Sequence, residues 1–223
     1  MSEAHGVLAH HFDDLDQQRD SAELGMWLFL ATEVLFFGGL FLAYTLYRTQ
    51  NEQAFADASA SLNLRLGTIN TFVLLTSSLT MALAVHAAQT SQRKKLVQLL
   101  TATLVLGVAF LAIKGVEWHE DYVENMIPFL TTHFHLHHGP NPPRPASALF
   151  VNLYFLMTGL HALHMVIGMV IMAIYTLKAR VGRFDGLRAT PINLLGLYWH
   201  FVDIVWVFLF PFLYLIGASE HGP

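Results

Sequence analysis

The sequence predicts an all-α integral membrane protein built as a five-transmembrane-helix bundle, and three observations predict it. Five apolar runs recur along the chain, each longer than the core helix of a soluble protein needs to be. Hydrophobic residues fill 54% of the 223 positions and charged residues only 13%. The connections between the runs leave too little chain for a separate soluble domain.

The elements follow in order. Residues 1–23 form an N-terminal segment with an acidic run, Asp13, Asp14, Asp16, Asp20 and Glu23. They lack the basic start, short apolar core and small-residue cleavage site of a secretory signal, so the first apolar run is expected to stay as a span. The membrane domain is placed at 24–217, with spans at about 24–47, 66–88, 96–118, 147–177 and 191–217, and a short tail at 218–223. At about 1.5 Å per residue each run crosses a hydrocarbon layer of roughly 30 Å. No internal repeat divides the spans into matching halves, which argues against an inverted-repeat transporter.

Basic residues set the expected orientation. The N-terminal segment, the second loop and the fourth loop hold Arg19, Arg93, Lys94, Lys95, Lys178, Arg180, Arg183 and Arg188, whereas the opposite side holds Arg48, Arg65 and Arg144. Basic short loops stay in the cytoplasm, so the N-terminus is predicted cytoplasmic and the C-terminus outside. The net charge of −4 mixes two aqueous faces and gives no reason to expect nucleic acid. The absence of cysteine excludes disulfides, thiolate metal sites and cysteine nucleophiles.

Chemistry is to be sought among the polar groups inside the spans, because each is costly there and such groups face the bundle interior. Glu33 and His200 lie roughly 14 Å from the cytoplasmic ends of their spans, and Asp203 and His164 roughly 18 Å, so the four share one layer. His161 stands one turn from His164, and His200 and Asp203 are likewise three apart, so each pair can face inwards together. A contact between Glu33 and His164 across helices is the simplest pairing, with a protonated Glu33 donating to an imidazole nitrogen. The cluster reads as hydrogen-bonded glue between helices or as a site that handles protons or tunes a partner. A metal or haem site made of His161, His164 and His200 lacks a second strong ligand set, so no metal site and no catalytic residue is assigned.

Lys114 and Glu117 form a second pair at spacing three, near the outer end of the third span, where Lys114 is expected to snorkel towards the interface. Trp27, Trp118 and Trp199 fall towards span ends, as an interfacial belt would, and Trp206 lies deeper, where it is expected to pack against a helix. Gly38, Gly39, Gly159 and Gly168 would allow close helix approach. The third loop carries His133, His135, His137 and His138 beside several prolines, and this reads as a stiff polar loop facing a neighbouring subunit rather than as a metal site.

These residues resemble subunit III of the haem-copper cytochrome c oxidases. The likeness runs through all five spans: Gly25-Met26-Trp27-Leu28-Phe29 with Glu33-Val34-Leu35-Phe36-Phe37, then Ile69-Asn70-Thr71-Phe72-Val73, then Gly115-Val116-Glu117-Trp118-His119-Glu120. It continues in Thr158-Gly159-Leu160-His161-Ala162-Leu163-His164 and Trp199-His200-Phe201-Val202-Asp203-Ile204-Val205-Trp206. The resemblance implies an accessory subunit of a proton-pumping respiratory terminal oxidase in a bacterial cell membrane, taking electrons from cytochrome c to dioxygen. The chain itself would carry no cofactor, with haem and copper held by partner subunits I and II.

It further implies phospholipid binding, support of proton uptake and protection of the catalytic subunit, with other respiratory complexes as further partners. Glu33 matches the family's buried membrane glutamate and His164 the second histidine of its His-x-x-His motif. Lys178 falls where relatives carry a basic residue that meets a lipid phosphate. Two departures stand out: five spans where the mitochondrial form has seven, and an acidic approach to the first span where seven-span relatives have basic and histidine residues. Five spans also occur in subunit III of quinol oxidases and in nitric-oxide-reductase-linked homologues. An autonomous proton channel or transporter, using Glu33, His164, His200 and Asp203 as a relay, is the reading from a different class.

Overall fold

The computed structural model describes residues 12, 14–123, 126, 136, 144–184 and 189–215. Arg188, the histidines of the third loop and the 218–223 tail lie outside the described residues. Among the described residues six α-helices follow in chain order: α1 (Leu15–Gln50), α2 (Glu52–Ala60), α3 (Leu64–Gln89), α4 (Arg93–Val123), α5 (Pro145–Arg180) and α6 (Thr190–Phe210), the last continued by a π-helical turn, Pro211–Leu215. Among the described residues five segments are long and apolar enough to cross a membrane: α1, α3, α4, α5 and α6 with its π-turn. No strand occurs among the described residues.

Local chemistry sets where these helices begin and end. Asp14 caps α1 by accepting from the Gln17 N–H at 2.7 Å, and Asn63 caps α3 through the Leu66 N–H at 3.2 Å. Proline opens α5 and α6 within the first turn, where its missing N–H costs nothing. Gly182, at φ +74°, closes α5 while the Arg183 N–H returns to the Lys178 carbonyl, the bond pattern of a glycine-terminated helix. Pro211 has no N–H to continue the α6 ladder, and the backbone widens into the π-turn at that point.

Helices α3, α4, α5 and α6 form a ring in which α3 packs on α4 and α6, and α5 on α4 and α6. Helix α1 lies outside this ring against α6 and α5. The sequence shows no sign of α2, which covers one end of the ring. Phe55 is buried between Tyr44 and Phe150, and the Ser147 hydroxyl donates to the Ala54 carbonyl at 3.2 Å. At that same end Arg144 lies 3.6 Å from Asp57. The opposite end brings Arg93 of the α3–α4 turn against Gly182 of the α5–α6 connection, so the basic loops share one side.

Rotational setting is where the structure departs from the sequence reading. Trp199 is fully buried, donating its indole N–H to Ser77 at 3.1 Å, so it belongs to the core and not to an interfacial belt. Trp27 is 59% exposed. Trp206 packs as expected, edge-on against Phe110 at 4.8 Å, with its N–H on Thr71. Of the four glycines singled out, Gly168 makes the tight approach: a Cβ there would sit 2.9 Å from Tyr198 and 3.1 Å from Trp199. Gly38 and Gly39 have nothing within 4 Å, and Gly159 has one ring atom at 4.0 Å. Gly67, Gly107 and Gly196, which nothing in the sequence marks, are the other points of close contact, because which face of an apolar helix meets protein is not written in its hydropathy.

Candidate functional site

Glu33 on α1 and His164 on α5 meet as the depth estimate predicts, with Glu33 Oε2 3.1 Å from His164 Nε2. The other ring nitrogen lies 2.8 Å from the Leu160 carbonyl, which can only accept, so His164 Nδ1 carries a proton. One proton is therefore shared across the Glu33–His164 contact. Either a carboxylic acid donates to a neutral imidazole or an imidazolium donates to a carboxylate. Tyr198 on α6 fixes the α5 backbone by donating to the His164 carbonyl at 2.9 Å, and Phe37 stands edge-on to the ring at 5.4 Å.

The pair forms part of the wall of a cavity of about 480 Å³ between α1, α5 and α6. Met26, Phe29, Ile167, Ile171, Leu194 and Leu195 make most of the lining apolar. Pro191, Tyr175 and Tyr198 complete it. Lys178 is exposed one turn beyond Tyr175, with its ammonium 5.7 Å from that ring. The cavity is thus apolar over most of its lining, with a carboxyl–imidazole pair in its wall and a cation near one end.

His200 and Asp203 do not join Glu33. The Nδ1 of His200 lies 2.8 Å from the Ser78 hydroxyl on α3, on the side of α6 away from the cavity. Asp203 is 4% exposed; Ser78 is the hydroxyl on its side, yet neither carboxylate oxygen makes a well-formed hydrogen bond. His161 is buried between Phe110 at 5.5 Å and Trp206 at 5.3 Å, and neither ring nitrogen has a hydrogen-bond partner. The shared layer is thus split: Glu33 with His164 on one side of α6, His200 with Ser78 on the other, and His161 in the core. Among the described residues no three His, Asp or Glu side chains are placed to hold a metal ion.

The most heavily connected polar site is the Lys114–Glu117 pair, and here the snorkelling expectation is corrected. Lys114 is 2% exposed and points into the bundle, because Glu117 at 3.1 Å and the phenol oxygens of Tyr154 and Tyr214 give its ammonium three acceptors there. Both phenols donate to Glu117 Oε1, and Tyr154 Oη also lies 3.4 Å from Asp121. Tyr154 comes from α5 and Tyr214 from the π-turn, so the network joins the ends of three elements. Sequence reasoning missed both tyrosines: phenol-bearing residues near a span end read equally well as an interfacial belt.

Fold and site together define a membrane-embedded helical subunit, with polar chemistry that binds helices to one another and a lateral apolar cavity. The sequence matches the family described as cytochrome c oxidase subunit III over residues 8–139 and 142–218, and the chain belongs to that family. It is 34% identical over 198 residues to cytochrome c oxidase subunit 3 of Alkalihalophilus pseudofirmus, covering 88% of this chain and 87% of the relative. It is 30% identical over 194 residues to a probable cytochrome c oxidase subunit 3 of Nocardia farcinica, covering 86% and 87% respectively. A probable quinol oxidase subunit 3 of Staphylococcus aureus is 26% identical over 218 residues, covering 96% of this chain and the whole relative. The chain is accordingly a subunit of the haem-copper oxidase class.

Proposed function

We propose that the chain is the accessory subunit III of a proton-pumping terminal oxidase that passes electrons from cytochrome c to dioxygen. It sits in a bacterial cell membrane with the N-terminus in the cytoplasm. Catalysis belongs to the haem- and copper-bearing subunits I and II, and this subunit binds phospholipid, supports proton uptake into subunit I and protects it during turnover. The observation that carries the lipid role is the apolar cavity between α1, α5 and α6, with Glu33 and His164 in its wall and Lys178 near one end. One acyl chain fills the slot, and the Lys178 ammonium meets the phosphate. The grouping of Arg93, Lys94, Lys95, Lys178, Arg180 and Arg183 towards one end supports the orientation.

The test is purification through a tag on this chain in mild detergent, followed by subunit identification and a reduced-minus-oxidised spectrum. Haem absorbance and larger subunits should co-purify, and cytochrome c should reduce the complex faster than quinol does. Faster reduction by quinol would place the chain with the quinol oxidase relatives instead. A colourless chain that purifies alone and conducts protons in liposomes, with loss on Glu33→Gln, would overturn the accessory role.

A further inference from the structure

On α6 the half-buried His200 and the exposed Ile204, Val207 and Phe208 form a stripe at helical spacing that the described residues leave largely uncovered, between α1 on one side and α3 on the other. Ile204 is 54% exposed and Phe208 53%. An apolar stripe alone is what lipid tails would cover. His200 is different, since it lies at the middle of the span Thr190–Leu215, roughly 15 Å from its start, beyond the reach of headgroups and water.

One nitrogen of this ring is already engaged: the Ser78 hydroxyl and His200 Nδ1 satisfy one another across the 2.8 Å contact, whichever of the two donates. Among the described residues His200 Nε2 has no hydrogen-bond partner. Polar atoms at that depth take partners from other helices, because hydrocarbon offers none.

We infer that the α6 stripe centred on His200 is the seat of a transmembrane helix from another oxidase subunit, and that this helix presents a side-chain hydrogen-bonding group to His200 Nε2. The inference rests on the accessory-subunit reading and adds to it the surface and chemistry of contact. Val170, 55% exposed on α5, marks a face that carries no such polar group.

The experiment places a photo-reactive benzoylphenylalanine at Ile204, or at Val170 as the control, in the tagged chain expressed in its own membrane. After irradiation the purified complex is separated and the cross-linked species are identified. A cross-link from position 204, and not from 170, to a larger oxidase subunit is the expected result. In a parallel preparation His200→Phe, which keeps a ring but loses both ring nitrogens, should lower retention of that subunit under a detergent wash by about fivefold, the weight of one membrane hydrogen bond. If oxidase subunits co-purify but position 204 cross-links only lipid, the inference fails and the accessory reading survives. If position 170 gives the subunit cross-link, another face is the seat and the inference fails likewise. If no oxidase subunit accompanies the chain at all, the accessory reading itself falls and takes the inference with it.

Discussion

Two of the polar pairs, Lys114–Glu117 and Glu33–His164, each lie at 3.1 Å in opposite surroundings. Lys114 and Glu117 belong to one helix and are sealed by Tyr154 and Tyr214, with side chains 2% and 1% exposed. Glu33 and His164 come from two helices and stand in a cavity wall, at 19% and 13% exposure. A sealed pair cannot exchange partners, so its worth lies in holding α4, α5 and the π-turn in one arrangement. A pair at a cavity wall can shift a proton or yield to a ligand without unpacking the core.

The largest effect should come from breaking the sealed pair. Lys114→Met leaves Glu117 buried without its cation and should cost about 3–5 kcal/mol, read as a lower melting temperature in detergent and poor recovery of the subunit. Replacing both, as Lys114→Met with Glu117→Leu, should restore much of the loss. Next, Gly168→Val forces two methyl groups against Tyr198 and Trp199 and should cost about 1–3 kcal/mol, whereas Gly38→Val should leave the melt unchanged. Glu33→Gln keeps a hydrogen-bonding group opposite His164 and should cost about 1 kcal/mol or less in the same melt. Lys178→Ala should leave stability untouched and lower the phospholipid retained per purified complex, measured by lipid mass spectrometry. If Glu33→Gln destabilised the bundle as much as Lys114→Met does, the distinction between the two regions would collapse.

These differences were unevenly legible in the sequence. Spans could be read because length and hydropathy report directly on bilayer thickness, and the Glu33–His164 contact because counting residues along a helix gives depth. Facing is harder. Lipid and protein interior are both apolar, so nothing in its own sequence distinguishes the exposed side of α1 at Gly38 from the packed side of α5 at Gly168. For the same reason Trp199 looked like a belt residue and Lys114 like a snorkelling one, and the inward acceptors that decide Lys114 come from residues 40 and 100 positions away. The Glu33–His164 pairing was readable, but not that His200 turns to Ser78 on the other side of α6. Helix α2 escaped notice because nine residues rich in alanine give no span-length signal.

The π-turn at Pro211–Leu215 bears on how the protein is made. Its wider coil leaves carbonyls free to accept, and two of them hold distant partners: Phe212 takes the Tyr44 hydroxyl and Leu213 the Ser59 hydroxyl, each at 2.6 Å. Tyr44 is synthesised 168 residues before its acceptor. At ribosomal rates of about 5–20 residues per second, that is on the order of ten seconds or more. For that interval α1 must wait in the bilayer with its main docking surface, α6, not yet inserted. The docking of α1 is therefore completed only once α6 and its π-turn are in place, and a ribosome stalled before residue 211 would leave the first helix unlatched at its α2 end.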